Sequence, residues 1–154
     1  MKAVVQRVLN SSVDVDNNTV GSCNNGYMIL LGAENGDTTD DADILATKIA
    51  NLRVFCDEND KMNKSILDID GECLVISQFT LCADLKKGNR PSFIGAMNPV
   101  DADNLYNYFC KKLSENGIKR VEKGVFGADM KVSLINDGPV TIIYDTKIWR
   151  KNGN

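Results

Sequence analysis

The alternation of apolar and polar positions predicts β structure in the first part of the chain. In the opening segment MKAVVQRV, apolar and polar side chains alternate, which is typical of a strand with one buried face. Asn17-Asn18 then separates two shorter alternating stretches, and this residue pair tolerates the positive φ of a hairpin turn. We therefore predict strands over residues 2–9, 11–16 and 19–23.

Continuous apolar runs predict further strands. The runs at 27–31 and 72–81 lack alternation, which favours strands that are covered on both faces. A short strand is predicted at 53–56. Three more β segments are expected near the end of the chain, with Gly127 and the Asp137-Gly138-Pro139 corner between them, at 119–126, 130–135 and 140–145.

Two segments show helical spacing. After the acidic and threonine-rich segment DTTDD, apolar residues recur on one face and predict a helix over 39–51. A second helix is predicted over 101–116, where Leu105, Phe109 and Leu113 recur every four residues and Gly117 suits the helix end.

The order of these elements predicts an α+β fold. Helices interspersed among antiparallel strands favour a mostly antiparallel curved sheet or barrel with two packed helices. No repeat or change of composition marks a domain boundary, so a single domain is expected over residues 1–146. Residues 147–154 are expected to form a frayed, polar C-terminal tail.

Composition limits the possible chemistry. The chain has 154 residues and no histidine, which excludes Ser-His-Asp and Cys-His catalysis and removes the commonest metal ligand. Its five cysteines form no CxxC pair and mostly lie in apolar stretches, so reduced core thiols are expected, with neither a disulfide nor zinc. We expect no metal and no cofactor.

Charge and hydropathy limit the possible partners. The net charge of −3 argues against a general nucleic-acid binder, although a local basic patch remains possible. No apolar run reaches the ~18 residues that a membrane span needs, and the N-terminus does not resemble a signal peptide. A soluble, intracellular protein with no membrane partner is therefore expected.

Three groups of residues could carry function. Ser77-Gln78-Phe79-Thr80 is either an ordinary strand end or one that opens into a site, and Asn136–Thr141 is either a turn or part of a site. Basic residues cluster at Lys86, Lys87 and Arg90, and again at Lys111, Lys112, Lys119, Arg120 and Lys123. Such clusters are usually solvated faces. Met130 and Phe126 would by default belong to the core.

Six segments together resemble the D-aminoacyl-tRNA deacylase family, also called D-tyrosyl-tRNA deacylases. They occur in order from residue 1 to about Asp145, and they read MKAVVQRV, NLRVF, SQFTL, KGNRPSF, FGADMKVSL and NDGPVT. The set is far more specific than any single motif. The resemblance implies a cytoplasmic hydrolase that acts in translation quality control by removing D-amino acids from the 3′ end of tRNA.

The resemblance also implies how the site is assembled. Members of the family are homodimers with active sites at the interface, where Ser77-Gln78 of one subunit meets a cis Gly138-Pro139 bond of the other. The Gly-Pro carbonyls would hold the substrate amino group and exclude an L side chain, while the ester carbonyl lies near Phe79 and Thr80. Glycine, which has no side chain, would be accepted, including glycine mischarged on tRNA-Ala. Arg7 would brace the Gly-Pro turn, Met130 would line the pocket, and Thr141 would take part in substrate binding and the rejection of L-amino acids.

Two chemical schemes are compatible with a chain without histidine. Thr80 could attack as a nucleophile, but a threonine hydroxyl needs a nearby base. Alternatively, the Phe79 amide and the Thr80 hydroxyl could stabilise the oxyanion while the 2′-OH of the terminal ribose assists water. We favour the second scheme. Two readings from other classes stay open, a dimeric nucleic-acid-binding module without catalysis and a general esterase with a Ser77 or Thr80 nucleophile.

Overall fold

One long N-terminal strand organises the fold. The computed structural model describes residues 1–151, and in it β1 runs without a break over Lys2–Val15. The two strands predicted at 2–9 and 11–16 are therefore one. The alternation slips at Leu9 and Asn10, which are both exposed, because the pairing with the neighbouring strand is irregular there.

The first strands form an antiparallel arrangement around β1. β2 (Asn18–Cys23) pairs with the second half of β1, and β3 (Gly26–Gly32) pairs with the first half. Positive φ angles fall at Asp16 and Asn17, one residue earlier than the turn predicted from Asn17-Asn18.

The sheet continues with two parallel strands. β6 (Glu72–Ser77) runs parallel to β3, and β7 (Val121–Lys123) runs parallel to β6. β6 stops four residues before the predicted end at 81, since a 3₁₀ turn follows over Phe79–Cys82. A small separate hairpin is formed by β4 (Phe55–Cys56) and β5 (Met62–Lys64), the second of which was not predicted.

The last strand lies at an edge of the sheet. β8 (Lys131–Asp145) pairs with β1 on both sides of an unpaired stretch at 137–140 and joins the two strands predicted at 130–135 and 140–145. The order of the main sheet is thus β8-β1-β3-β6-β7, with β2 also on β1. At the other end, a Cβ added to Gly21 in β2 would lie 2.5 Å from the Lys123 carbonyl oxygen in β7. The sheet therefore curls until it is nearly closed, which confirms the α+β fold with a curved sheet.

Both helices pack on the sheet as predicted. α1 (Thr39–Ala50) begins with a capping box in which Thr38 and Asp41 bond to each other's backbone amides. α2 (Pro99–Glu115) begins two residues earlier than predicted, because Asn98 caps it and Pro99 fits the first turn. The core between the helices and the sheet includes the fully buried Tyr27, Leu45, Ile49, Phe109 and Leu113.

The C-terminal segment is more ordered than the frayed tail that was expected. A 3₁₀ turn covers Thr146–Trp149, the Trp149 ring lies 6.0 Å from that of Tyr144, and Arg150 bonds to Asp41 at 3.1 Å. The last part of that tail, 152–154, lies outside the described residues. Neither helix in the described part of the chain is long and apolar enough to cross a membrane.

Candidate functional site

The end of β6 presents unpaired backbone donors. Ser77 is the last ladder residue, paired with Leu31, and Gln78 leaves the strand to start the 3₁₀ turn. The amides of Phe79 and Thr80 have no hydrogen-bond partner among residues 1–151, since the first internal bond of the turn is donated by Leu81. Two adjacent unpaired N–H groups can stabilise an oxygen that gains negative charge.

The side chains at this strand end are arranged around those amides. The Gln78 side-chain amide donates to the Thr80 hydroxyl at 2.6 Å, and both Thr80 and Phe79 are exposed, Phe79 to 57%. The Thr80 hydroxyl keeps its own proton available for a further acceptor. The predicted segment Ser77–Thr80 therefore forms a corner at which the side chains of Gln78 and Thr80 are hydrogen-bonded.

A pocket of about 470 Å³ lies beside this corner. Its lining includes Ser77, Gln78 and Phe79 of the corner, together with Met130. The remaining lining is mostly apolar and comes from several elements, namely Leu31, Ala33, Ile76, Ala96, Met97, Pro99, Ala102, Tyr106, Phe126, Gly127, Ala128, Asp129 and Val132. Its size suits a small organic group such as an amino-acid side chain or a nucleoside.

The pocket lining offers little for acid-base chemistry. Tyr106 donates its hydroxyl proton to the Val75 carbonyl at 2.6 Å, and burial raises its pKa well above the usual value, so it stays protonated. Asp129 is exposed and paired with Lys131 at 2.9 Å. Tyr106 is therefore unsuited to deprotonate water or a hydroxyl, and Asp129 is the only carboxylate in the lining.

The second predicted motif forms an outward loop within β8. Its Gly138-Pro139 bond is cis, as expected. In β1, Gln6 pairs with Thr141 and Val8 pairs with Asn136, so only Arg7 lies between these two pairs. In β8, four residues, 137–140, lie between the same two pairs and form the loop. The loop is closed by Asn136, which accepts from the Val140 amide at 2.9 Å and donates to the Thr141 hydroxyl at 3.1 Å. Gly138 and Pro139 are exposed at its tip.

Arg7 holds this loop in place. Its guanidinium is largely buried and donates to the Asp137 carbonyl at 2.8 Å and to the Val54 carbonyl at 2.6 Å. A Cβ added to Gly138 would lie 3.1 Å from an Arg7 nitrogen. A buried charge with two backbone acceptors fixes the geometry of both, so the position predicted for Arg7 agrees with a bracing contact.

One chain does not bring the two groups together. Arg7 in β1 lies beside Gly138 and pairs with Tyr27 in β3. Tyr27 in turn pairs with Cys73 in β6, which is four residues before Ser77. At about 3.3 Å per residue and about 4.8 Å per strand, this places Gly138 about 13 Å along the strands and about 14 Å across them from Ser77. Gly138, Pro139 and Thr141 are absent from the pocket lining.

Several residues of the loop in β8 and of the pocket could not be given a role from the sequence. Asn136 and Asp137 lay inside a matching segment, yet only the folded loop shows that one closes it and the other receives Arg7. Phe126 was expected in the core, and Tyr106 was not singled out. No local pattern in the sequence would have placed Met97 or Ala102 beside Ser77.

Comparison with known proteins gives matches along nearly the whole chain. The sequence model of the family described as D-Tyr-tRNA(Tyr) deacylase matches residues 4–145. A protein named D-aminoacyl-tRNA deacylase from Geotalea daltonii is 57% identical over 146 residues, which cover 95% of this chain and 97% of that protein. A protein of the same name from Clostridioides difficile is 53% identical, again over 95% and 97% of the two chains.

Solved structures share the fold. One titled c-Myc DNA Unwinding Element Binding Protein superposes with a TM-score of 0.89 at 42% identity and covers 94% of this chain and 98% of its own. A second, titled as a structural analysis of a probable eukaryotic D-amino acid tRNA deacylase, has a TM-score of 0.78 at 16% identity, with 93% and 97% coverage. The second likeness shows the fold alone.

Proposed function

The chain belongs to the D-Tyr-tRNA(Tyr) deacylase family and is a hydrolase, and we propose that it cuts the ester of D-aminoacyl-tRNA at the end of β6. The products are the free D-amino acid and tRNA. The observation that carries this assignment is the pair of unpaired amides at Phe79 and Thr80 beside a mostly apolar pocket. The place of action is the cytoplasm, where charged tRNA is used.

The complete site is assembled from two subunits of a homodimer. Gly138 and the Ser77 corner lie too far apart within one chain, so the Gly138-Pro139 tip reaches the corner of a partner copy. β8 supports this pairing, because it is a 15-residue edge strand with the exposed apolar side chains Ile135 and Ile143. A long edge strand with apolar residues is a template for another chain.

Main-chain atoms select the configuration of the substrate. The carbonyls of Gly138 and Pro139 grip the ammonium group, and an L side chain would then collide with this backbone, whereas a D side chain points outward. The site is thus specific through what it excludes. Glycine has no side chain to exclude, so glycine mischarged on tRNA-Ala is also hydrolysed.

Substrate assistance supplies the missing base. Apart from Asp129, which is exposed and paired with Lys131, the pocket lining lacks a group that could take a proton from water, and a Thr80 nucleophile would need one. The 2′-OH of the terminal ribose lies next to the ester and orients the attacking water. The Phe79 amide and the Thr80 hydroxyl stabilise the developing oxyanion, a contribution of roughly 10²- to 10³-fold for one such donor in other hydrolases.

A release assay tests the proposed function. The same tRNA is charged with the D, L and glycyl forms of an amino acid, and the rates at which free amino acid appears are compared. We expect fast release of the D form, measurable release of glycine and almost none of the L form. A nucleic-acid-binding module would retain the tRNA and release nothing. A general esterase would also hydrolyse the L form and simple esters.

Replacing Thr80 by alanine separates the two chemical schemes. If Thr80 only donates a hydrogen bond to the oxyanion, kcat should fall by roughly 10²- to 10³-fold and stay measurable, the effect of removing one such donor. A substrate tRNA that ends in 2′-deoxyadenosine should react more slowly still, because it lacks the assisting hydroxyl. Single-turnover kinetics with mass spectrometry of the quenched enzyme provides the check. An acyl adduct on Thr80 would contradict this mechanism.

A further inference from the structure

A loop of unusual charge follows the 3₁₀ turn. Residues 85–91, called here the basic loop, contain Lys86, Lys87 and Arg90 and no acidic residue. All three cationic side chains are exposed, and none forms an ion pair with any residue in the part of the chain described, 1–151. The basic loop is therefore a site of uncompensated positive charge on a chain whose net charge is −3.

The second basic cluster is different, because carboxylates neutralise most of it. Lys112 pairs with Glu115 at 2.6 Å, Lys119 pairs with Asp70 at 3.0 Å, and Arg120 lies 3.5 Å from Glu72. These pairs lower the positive potential of that face. An anion would therefore be attracted more strongly to the basic loop than to the cluster around Arg120.

The basic loop is fixed next to the site. Asp84 and Ser92 close its base with two backbone hydrogen bonds of 2.8 and 3.0 Å. The next residue, Phe93, packs edge-on against Phe79, with ring centroids 5.0 Å apart. The loop has three residues on each side of its middle residue, Gly88. Three extended residues span at most ~10 Å, so Gly88 lies no farther than this from the base of the loop. The cations thus lie within a short distance of the Phe79 and Thr80 amides.

The acid at the base, Asp84, offsets only one of these three positive charges. The Asp84 carboxylate accepts from the Lys86 backbone amide at 2.9 Å, so it shapes the turn instead of pairing with a side-chain cation. The three cations remain free to meet an external anion. The segment therefore combines charge, exposure and a rigid attachment to the reaction centre.

We infer that the basic loop binds the phosphate backbone of the RNA strand immediately 5′ of the aminoacylated adenosine. The inference rests on the proposed function, since an ester held at the Phe79 and Thr80 amides brings the neighbouring phosphates to this side of the protein. Each Lys or Arg that meets a phosphate releases a counterion and adds sequence-independent affinity. The substrate is thus recognised as RNA by the basic loop and as a D-amino acid by the pocket.

A double substitution tests the inference against a matched control. In Lys86→Gln/Lys87→Gln, the basic loop loses two charges, and Lys111→Gln/Lys119→Gln removes the same charge from exposed side chains elsewhere. Rates are measured with D-aminoacyl-tRNA and with D-aminoacyl-adenosine, which has the same ester without phosphates. For the loop variant, we expect the ratio of kcat/KM between the two substrates to fall roughly tenfold or more.

Salt dependence provides a second readout. The slope of log kcat/KM for D-aminoacyl-tRNA against log salt should become shallower by about 1 for each lost phosphate contact. The control variant should keep the wild-type ratio and slope. An unchanged ratio and slope in the loop variant, or an equal change in both variants, would overturn the inference and leave the proposed function intact. A wild-type protein that hydrolyses neither substrate would overturn both.

Discussion

Replacing Ile143 by aspartate is expected to give a folded monomer without deacylase activity. Ile143 lies on the edge strand β8 and is 78% exposed in the single chain, so a charge there costs the isolated subunit little. In a dimer formed along β8 the same charge would be desolvated, which opposes pairing. If Gly138 acts on the partner's corner, as proposed, loss of the dimer should remove activity altogether.

The control for this prediction is Ile148→Asp, which adds the same charge at a side chain that is 72% exposed and lies outside β8. It should remain dimeric and active. Light scattering after size-exclusion chromatography reports the assembly, circular dichroism reports the fold, and release of D-amino acid reports activity. A folded Ile143→Asp monomer with full activity would show that one chain holds the whole site.

Replacing Gly138 by alanine should reduce D-aminoacyl-tRNA hydrolysis by at least ~10²-fold, the effect of an ~1 Å displacement at a reaction centre. Gly138 has a φ of +139°, which L side chains rarely adopt. An added Cβ would lie 2.8 Å from Val140 Cγ2, 2.9 Å from the Val140 amide nitrogen and 3.1 Å from an Arg7 nitrogen. The loop must therefore move, and its carbonyls with it, so residual activity should discriminate less between D and L substrates.

Gly36→Ala separates this effect from simple backbone strain. Gly36 also has a positive φ, of +87°, but a Cβ there would meet nothing within 4 Å, and Gly36 lies away from both motifs. We expect it to lower thermal stability slightly and to leave chiral selectivity unchanged. A Met130→Leu variant should change the rate without admitting L substrates. If Gly138→Ala deacylates D substrates at the normal rate and still rejects L substrates, the main-chain filter is wrong.

Elements with clear periodicity could be predicted from the sequence. The two helices were predicted to within two residues of their observed ends. In α2, for example, the four-residue spacing of Leu105, Phe109 and Leu113 fits a helix and does not fit a strand. The continuity of β1 and β8 was missed, since both strands contain irregular pairings that break the alternation. Short β5 was missed because its single apolar residue, Met62, is exposed and three residues are too few to show alternation.

The candidate site was predicted in part. The corner at Ser77–Thr80 and the loop at Gly138-Pro139 drew attention as polar or glycine-proline interruptions, but each also fits an ordinary strand end or turn. Their roles came from the resemblance. Their separation within one chain depends on strand register, which pairs residues distant in sequence and is not written in any local segment.

The pairing of β1 with β8 also decides when the molecule can be completed. Lys2 pairs with Asp145, so the first strand finds its last neighbour only after nearly the whole chain has been synthesised. Contacts of such large sequence separation form slowly, because a long loop must close before they contribute any stability. Until then one edge of β1 lacks its partner, and Arg7 lacks the Asp137 carbonyl that it holds in the finished protein. On the proposed mechanism, a nascent chain therefore carries no working filter until β1 and β8 have paired.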